Sequence, residues 1–428
     1  MKNNILVLLI IFGFFVNPDI SAQEKEKKVG ISFSGFVKND FFWDSRQTVS
    51  CREGHFLLWP SPVNTDANGT DINAKSNFNF LALQSRLSAK ISGPDAFGAH
   101  TSAIIEGDFF AQANDNINLF RLRHALIKLS WDNTELLTGQ YWNPLFVTAC
   151  FPGTVSFNTG TPLQSFARNP QIRVTQSIGN ISIMVAALSQ RDYTSTGPDP
   201  DDNSCTLGSS QYLRNSSIPD MHLQLQYAAG GKENGSSFLA GISAAYKTIV
   251  PRLASDITGM AVNESVSGMT LMAFSKLQLS PVTIKIQGRY GENISDVLSI
   301  SGFAVKSITN PTTGEFSYTP LKNMTFWGEI HTNGSKFQLG IFGGYLMNMG
   351  TKDQMTSNTN VIYGLGANIS SLYRVAPRIV YTVNKTKIAT ELEFTSAEYG
   401  SNFNDYYVPS TTTSASNTRL LISVIQGF

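Results

Sequence analysis

The strongest constraint on the fold is a two-residue alternation of apolar and polar side chains that recurs along the chain. From residue 221 to residue 227, for example, every odd position is apolar and every even position is polar. This period is that of a β-strand with one apolar and one polar face. After the N-terminal segment, no stretch approaches the ~18 consecutive apolar residues of a membrane-spanning helix. The sequence therefore predicts an all-β protein.

Sixteen alternating segments can be placed along the chain as antiparallel strands of one domain. The predicted strands are 31–43, 78–92, 99–111, 120–131, 135–142, 171–178, 181–190, 221–229, 236–248, 267–279, 282–291, 323–333, 336–348, 374–383, 387–399 and 417–428. Short turns rich in Gly, Asn and Pro alternate with long links between these strands. The predicted long-side links are 44–77, 112–119, 143–170, 191–220, 249–266, 292–322, 349–373 and 400–416. Short turns at one end and long loops at the other are typical of an outer-membrane β-barrel.

A closed barrel suits this sequence better than a soluble β-sandwich. A bilayer offers no water to backbone groups, so strands that cross it must pair with one another around a closed ring. The polar faces of a sandwich would meet open solvent and would carry many Lys and Glu side chains. Here only 15% of all residues are charged, and the polar faces are rich in Gln, Ser, Thr and Asn. That composition is typical of a water-filled lumen.

The strand count depends on the segment 299–308 (SISGFAVKSI), which also has strand character. As a seventeenth wall strand it would move the C-terminus to the long-loop side of the barrel. We therefore expect this segment inside a loop. If 361–370 joins the wall as well, an eighteen-stranded barrel is the alternative.

The N-terminal segment has the features of a signal peptide. Lys2 precedes an apolar run at residues 5–16, and the sequence SAQ then provides small residues for cleavage. At about 12 residues, the run is too short to cross a ~30 Å hydrocarbon core. We therefore predict that residues 1–23 are removed on export, with cleavage after either Ala22 or Gln23. Residues 24–428 then form a single outer-membrane barrel domain.

The C-terminal residue is expected to close the barrel. In the last strand, Leu420, Ile422 and Val424 lie on one face, and the strand finishes on Phe428. A terminal aromatic ring after an apolar face is typical of a lipid-exposed closing strand, with the ring at the membrane interface.

Charge and motifs exclude several classes of protein. A net charge of +1 gives no strong field toward nucleic acid, so no nucleic-acid partner is expected. Cys51, Cys150 and Cys205 allow one disulfide without indicating which two residues form it. The cysteines lack metal-type spacing and the five histidines are scattered, so no metal or other cofactor is expected. No G-x-S-x-G, phosphate-loop or H-E-x-x-H motif occurs.

An ordered set of segments between residues 78 and 176 carries a family resemblance. The segments are NFLALQSRLSAKISGP, IIEGDFFA, RLRHALIKL, LLTGQYWNPLF and ARNPQIRVTQ, and SGFVKNDFFWDSRQT is similar as well. Together they resemble DcaP-like outer-membrane porins. The resemblance implies a sixteen-stranded, homotrimeric porin for general or anion-preferring diffusion. Some members carry a helical segment before the barrel, whereas here only EKEKK precedes the first strand, so trimerisation would depend on the barrel wall.

Charged side chains on the strands are expected to face the lumen, because a charge facing lipid at mid-depth costs roughly 2–4 kcal/mol. The predicted pore-lining residues are Arg86, Lys90, Glu106, Asp108, Arg121, Arg123, Arg168, Arg173, Lys285 and Arg289. Glu391 and Glu393 are also predicted to oppose these bases. One interpretation is a ladder of ion pairs that stiffens the wall. The other adds a transverse field that selects anionic or dipolar solutes.

The loop 143–170 is too apolar to float in water. Its four phenylalanines require burial, which the lumen of a barrel supplies. We therefore predict that this loop folds inward and constricts the lumen. The alternative is a loop that packs over the barrel mouth or against a neighbouring subunit.

The sequence as a whole predicts a porin for passive diffusion of small hydrophilic solutes, with a preference for anions such as carboxylates. Two alternatives remain open. A surface-exposed binding or adhesion barrel is suggested by long polar loops with runs such as PSTTTSASNT. A barrel-embedded lipid-modifying enzyme would need a Ser or Asp paired in space with a His, which sequence alone does not exclude.

Overall fold

The computed structural model describes residues 29–199, 206–231, 235–356 and 361–428. Within them, sixteen antiparallel strands form one closed sheet, which confirms the predicted all-β barrel. The predicted signal peptide, residues 1–23, lies outside the described residues. Among the described residues, no helix is long and apolar enough to cross a membrane.

The wall strands are named β1 to β16 in chain order. They are β1 Gly30–Asp44, β2 in two segments (Asn77–Leu81 and Arg86–Ser92), β3 His100–Phe109, β4 Phe120–Ser130, β5 Thr134–Trp142, β6 Arg168–Ile178, β7 Ile181–Leu188, β8 Asp220–Gly231, β9 Ser236–Ile249, β10 Val266–Gln278, β11 Val282–Glu292, β12 Glu315–Thr332, β13 Phe337–Thr351, β14 Ile369–Val383, β15 Thr386–Phe403 and β16 Pro409–Gly427. Each strand pairs with the next along the chain. The ring closes where β1 pairs with β16, from Phe36 opposite Gly427 to Asp44 opposite Arg419.

Several strands extend farther toward the loop side than the alternation predicted. β12 begins at Glu315 instead of residue 323, and β16 begins at Pro409 instead of residue 417. The Thr- and Ser-rich run PSTTTSASNT, predicted as loop, is therefore strand and pairs with β15. The prediction was wrong because the β-branched Thr favours strands, while both faces of this rim segment are polar and leave no alternation to detect.

The segment Ser301–Asn310 is a strand that lies outside the wall. It pairs with the first part of β12 and with Ile362–Leu365. β11 pairs directly with β12, from Val282 opposite Thr332 to Glu292 opposite Lys322. The strand therefore belongs to a loop, as predicted, and the count is sixteen instead of eighteen.

The two faces of the wall differ sharply in polarity. On β4, Leu122 faces outward with 54% of its surface exposed, whereas its neighbour Arg123 faces inward and is 2% exposed. Apolar side chains from the segments 49–59, 143–167 and 292–300 pack together inside the ring. Their buried cluster includes Phe56, Trp59, Phe146, Phe157, Phe166, Leu298 and Ile300, with Trp327 and Phe342 from the wall. An apolar core thus occupies part of the barrel interior.

Candidate functional site: the charged lumen

Four arginines and three carboxylates meet on the inner face of β2 to β6. We call Arg86, Arg121, Arg123, Arg168, Glu106, Asp108 and Asp192 the arginine cluster. Arg121 Nε donates to Asp108 at 2.9 Å. Arg123 donates to Glu106 at 2.8 Å and to Asp108 at 3.0 Å. Arg86 lies 3.7 Å from both Glu106 and Asp108. The predicted ion-pair ladder is therefore present between β2, β3 and β4.

Strand register brings these side chains together. Asp108 on β3 lies opposite Arg86 on β2 and opposite Arg121 on β4. Alternation then places Arg123 on the same inner face as Arg121. The close approach of the strands also requires Gly107, since a Cβ there would lie 2.8 Å from the backbone carbonyl oxygen of Arg121.

Asp192 completes the cluster from the loop after β7, and the sequence did not predict its role. It accepts hydrogen bonds from Arg168 Nε at 2.9 Å and Nη2 at 2.6 Å, and it lies 3.8 Å from Arg121 Nη1. Burial alone would raise the pKa of Asp192, but the guanidinium groups of Arg168 and Arg121 outweigh burial and hold that pKa below its usual range. Asp192 therefore stays charged at neutral pH.

Aromatic rings orient the guanidinium groups. Arg168 and Arg123 lie 5.3 Å and 5.7 Å from the Trp142 ring centroid, and Arg173 lies 5.4 Å from that of Tyr141. Arg173 Nη2 also donates to the Trp142 carbonyl at 2.8 Å. Stacking of this kind fixes the planes of the arginines without neutralising their charge.

A cavity of about 470 Å³ adjoins the cluster on the lumen side. Its lining includes Gln84, Arg86, Lys90, Arg123, Trp142 and Phe151. Lys90 is exposed, in contrast to the buried Arg123. The cavity thus combines basic groups with aromatic surface.

Two of the predicted pore-lining residues lie on the far wall, away from the arginine cluster. Lys285 on β11 donates to the Phe151 carbonyl at 2.9 Å and to Glu329 at 3.2 Å. Arg289 bonds to the hydroxyl groups of Ser165 and Ser299. Both residues therefore contact inward segments of the chain, in addition to facing the interior.

The segment between β5 and β6, residues 143–167, is called the inward loop. Its backbone donates to far-wall carboxylates: Gly153 to Glu329 at 2.8 Å, and Val155 and Ser156 to Glu391 at 2.7 Å and 3.0 Å. The side chain of Asn158 donates to Glu393 at 2.8 Å. Arg374 also donates to the Thr161 carbonyl at 2.6 Å. The loop therefore leaves the wall at β5 and binds side chains of β12, β14 and β15.

Charge is distributed unevenly around the interior. In the arginine cluster, four arginines face three carboxylates, and the nearby Lys90 and Arg173 raise the positive excess to three. On the far wall, the bases Lys285, Arg289, Arg374 and Arg378 face Glu329, Glu391 and Glu393, an excess of one. By these formal charges, the β2–β6 side carries the larger positive excess of the two groups.

The cysteines and histidines do not assemble into a common site. Cys51 and Cys150 are free thiols, and Cys205 lies outside the described residues. Each histidine lies beside a carboxylate, as His55 does 2.5 Å from Asp40. Within the described ranges, no group of three potential metal ligands occurs.

Phe428 is half exposed at the end of the chain, and its backbone N–H donates to the Gly35 carbonyl at 3.1 Å. This hydrogen bond joins the two terminal strands beyond the last paired residue of β16. The terminal residue thus takes part in the seam that closes the ring.

Comparison with solved structures places the fold among outer-membrane channels. The crystal structure of the outer-membrane channel DcaP of Acinetobacter baumannii is similar, with a TM-score of 0.66 and 15% identity over 96% of this chain and 100% of that chain. An anion-selective porin from Comamonas acidovorans has a TM-score of 0.53 and 11% identity, over 94% and 100%. The outer membrane protein OmpT of Vibrio cholerae has a TM-score of 0.54 and 10% identity, over 94% and 99%. No protein-family model and no curated protein matches the chain. The predicted resemblance to DcaP-like channels is confirmed as a structural relationship.

Proposed function

We propose that this protein is an outer-membrane porin for passive diffusion of small hydrophilic solutes. The proposal rests above all on one arrangement: a closed barrel with an apolar outer face and a charged interior beside a cavity. An apolar outer face suits lipid, and a charged inner face suits an aqueous path. In this proposal, residues 1–23 direct export and are removed, and three copies assemble in the outer membrane. The similarly folded OmpT of Vibrio cholerae has a trimer form.

The pore prefers anions such as small carboxylates. The support is the excess of positive charge on the β2–β6 side, where Arg86, Lys90 and Arg123 line the cavity. Arg121, Arg168 and Arg173 add to the same field, while Lys285 and Arg289 contribute from the far wall. Fixed charges select permeant ions when they lie within about one Debye length of the path, ~8–10 Å at physiological salt.

The inward loop narrows the lumen in this proposal. Its contacts with Glu329, Glu391 and Glu393 hold it across the interior. Because the Gly153 N–H donates to the charged carboxylate of Glu329, this bond is stronger than a bond between neutral groups. The path that remains runs past the arginine cluster.

Conductance in planar bilayers tests the proposal. Insertion of the purified protein should raise the membrane current in discrete steps, and each single-channel current should increase linearly with voltage. Binding of a glycan or host protein without conductance would instead support an adhesion barrel, and hydrolysis of a lipid substrate would support an enzyme. Either result would contradict the porin function.

A further inference from the structure

The barrel wall is interrupted between β4 and β5 at their loop-side ends. The two strands pair only from Ala125 opposite Gln140 to Ser130 opposite Glu135. Beyond this point, β4 pairs with β3 through His124 and residues 120–122, with Arg123 left unpaired at a register shift, whereas Tyr141 and Trp142 pair with β6. In this described part of the wall, the two strands share no further backbone pairs. Gly139, with φ +124°, lies at the point of divergence, where a Cβ would approach the Ala125 carbonyl to 2.2 Å.

A side chain bridges part of the gap. Gln140 Nε2 donates to the Arg123 carbonyl at 2.9 Å and lies 3.4 Å from the Leu122 carbonyl. In a bilayer, backbone groups that lack a strand partner must find another one. The Gln140 side-chain amide is this other partner for the Arg123 carbonyl of β4. Because a side chain replaces a paired strand here, open space remains beside β4.

That space adjoins a cavity of about 310 Å³, lined by Gln140, by the end of β4 and by loop residues that include Ala111, Gln112, Asn116 and Leu119. Its lining includes Phe120 and Leu122, which point outward and are 52% and 54% exposed, and also Arg121, which points inward. In a continuous β-sheet, outward and inward side chains are separated by the backbone. Here the cavity lies at the end of β4, where pairing with β5 has stopped and the loop before β4 begins, so side chains of both faces border it.

The gap lies at the outer edge of the bilayer. β4 has 11 residues between the turn at 131–133 and the loop at 110–119. At ~3.3 Å per residue and a tilt of about 40°, such a strand spans roughly 28 Å, close to the height of the apolar band of these barrels. Phe120 therefore lies near the level of the outer lipid headgroups, and Leu122 lies one step deeper.

Two arginines with unsatisfied N–H donors also line the gap, although Arg121 Nε donates to Asp108 at 2.9 Å. Arg121 is 8% exposed, and its Nη2 has no hydrogen-bond partner. Arg191 lines the cavity and is exposed, and no contact to another described residue satisfies its guanidinium group. The carboxylate of Asp192 is already engaged by Arg168 at 2.6 Å. The gap thus joins apolar surface on the lipid side to positive charge on the inner side.

We infer that this gap binds an anionic lipid of the outer leaflet. Its acyl chain packs against Leu122 and Phe120, and its phosphate lies between Arg121 and Arg191. Phosphate suits paired guanidinium groups because their N–H donors match its oxygens. This inference rests on the proposed outer-membrane placement. Arg121 also belongs to the arginine cluster beside the proposed permeation path, whereas Arg191 lies outside that cluster and lines only the gap.

Tetradecyl phosphate is a suitable probe for the purified protein in a neutral detergent. Native mass spectrometry should show one tetradecyl phosphate retained per chain, with far weaker retention of tetradecyl maltoside or inorganic phosphate. Arg191→Gln removes one charge-assisted contact and should weaken retention by about fivefold to tenfold. Leu122→Asn should also weaken the retention of tetradecyl phosphate, because it removes an apolar contact with the alkyl chain of the probe.

Matched variants separate this site from general effects. Arg214→Gln alters another exposed arginine, on the helix Gln211–Asn215, and should leave retention unchanged. Ile105→Asn alters an outward residue of β3 with the same 54% exposure as Leu122, and it should also leave retention unchanged. Single-channel conductance of Arg191→Gln should equal that of the parent, so that failure of this proposal is distinguishable from failure of the porin function.

Three results would overturn the inference. Equal retention by Arg191→Gln and Arg214→Gln would show that the gap does not hold the phosphate. Retention of inorganic phosphate as strong as that of tetradecyl phosphate would point to a free-anion site instead of a lipid site. Loss of oligomers in Leu122→Asn, with no lipid bound to the parent, would show that a second copy of the chain covers the gap.

Discussion

Replacing Arg121 and Arg123 with Gln separates selectivity from structural support. The change reduces the local positive excess from three to one, because Glu106 and Asp108 remain. At ~8 Å in water a unit charge contributes about 0.5 kcal/mol, which one Debye length of screening reduces to about 0.2 kcal/mol. Each charge stabilises an anion and destabilises a cation by the same amount. Removing two charges therefore changes the free-energy difference between anion and cation in the pore by about 0.8 kcal/mol, which is roughly fourfold in the permeability ratio.

The assay is the reversal potential of the variant in a salt gradient across a planar bilayer, compared with that of the parent. The anion-to-cation permeability ratio should fall about fourfold, by the screened-charge estimate. A second variant that also carries Glu106→Gln and Asp108→Asn restores the local excess to that of the parent, and it should restore the permeability ratio.

The same two variants can refute the reasoning. If the arginines serve only as a ladder, the double variant will lower the temperature at which the folded barrel unfolds on heat-modifiability gels and will leave the ratio unchanged. Breaking buried ion pairs from one side costs about 3–5 kcal/mol, so the loss of stability should be easy to detect. An unchanged ratio in a folded barrel would exclude a role of this pair in selectivity.

Three further predictions concern the loop, the terminus and acid stability. Deleting residues 150–165 should raise single-channel conductance while the barrel still folds; unchanged conductance would place the inward loop away from the permeation path. Deleting Phe428 should lower the yield of heat-modifiable barrel in outer-membrane fractions, and a normal yield would contradict its role in closure. Because the pKa of Asp192 is held below its unfolded value, Asp192 stabilises the fold above about pH 4, and this stabilisation should be lost as the pH falls through the lowered pKa. Asp192→Asn should therefore unfold at a lower temperature than the parent at pH 7, and this difference should shrink in acid.

Local alternation was enough to predict the wall and the direction of its charges. Arg121 and Arg123 face inward because neighbouring residues of a strand alternate, and their contacts with Asp108 follow from the order of adjacent strands. The first part of β16 was mispredicted because solvent contacts both of its faces. Neither face requires apolar residues, so the sequence there shows no two-residue alternation. Alternation therefore predicts a strand where one face contacts lipid, and it does not predict a strand where neither face does.

The contacts made by loops could not be predicted in the same way. Asp192 reaches Arg168 and Arg121 only after the loop beyond β7 has folded, and nothing in the local sequence distinguishes it from other acidic loop residues. The partners of the inward loop, such as Glu391, lie more than 230 residues away in the chain. The divergence of β4 and β5 was also missed, although the alternation of β4 breaks beside the gap, where the adjacent residues Arg123 and His124 are both buried.

The reversal potential of the unmodified protein in a tenfold potassium chloride gradient tests the central claim most directly. An uneven interior with excess positive charge beside the path should favour chloride over potassium, so the zero-current potential should take the sign of an anion-preferring pore. A potential with the sign of a cation-preferring pore, or one indistinguishable from that of free diffusion, would contradict the account.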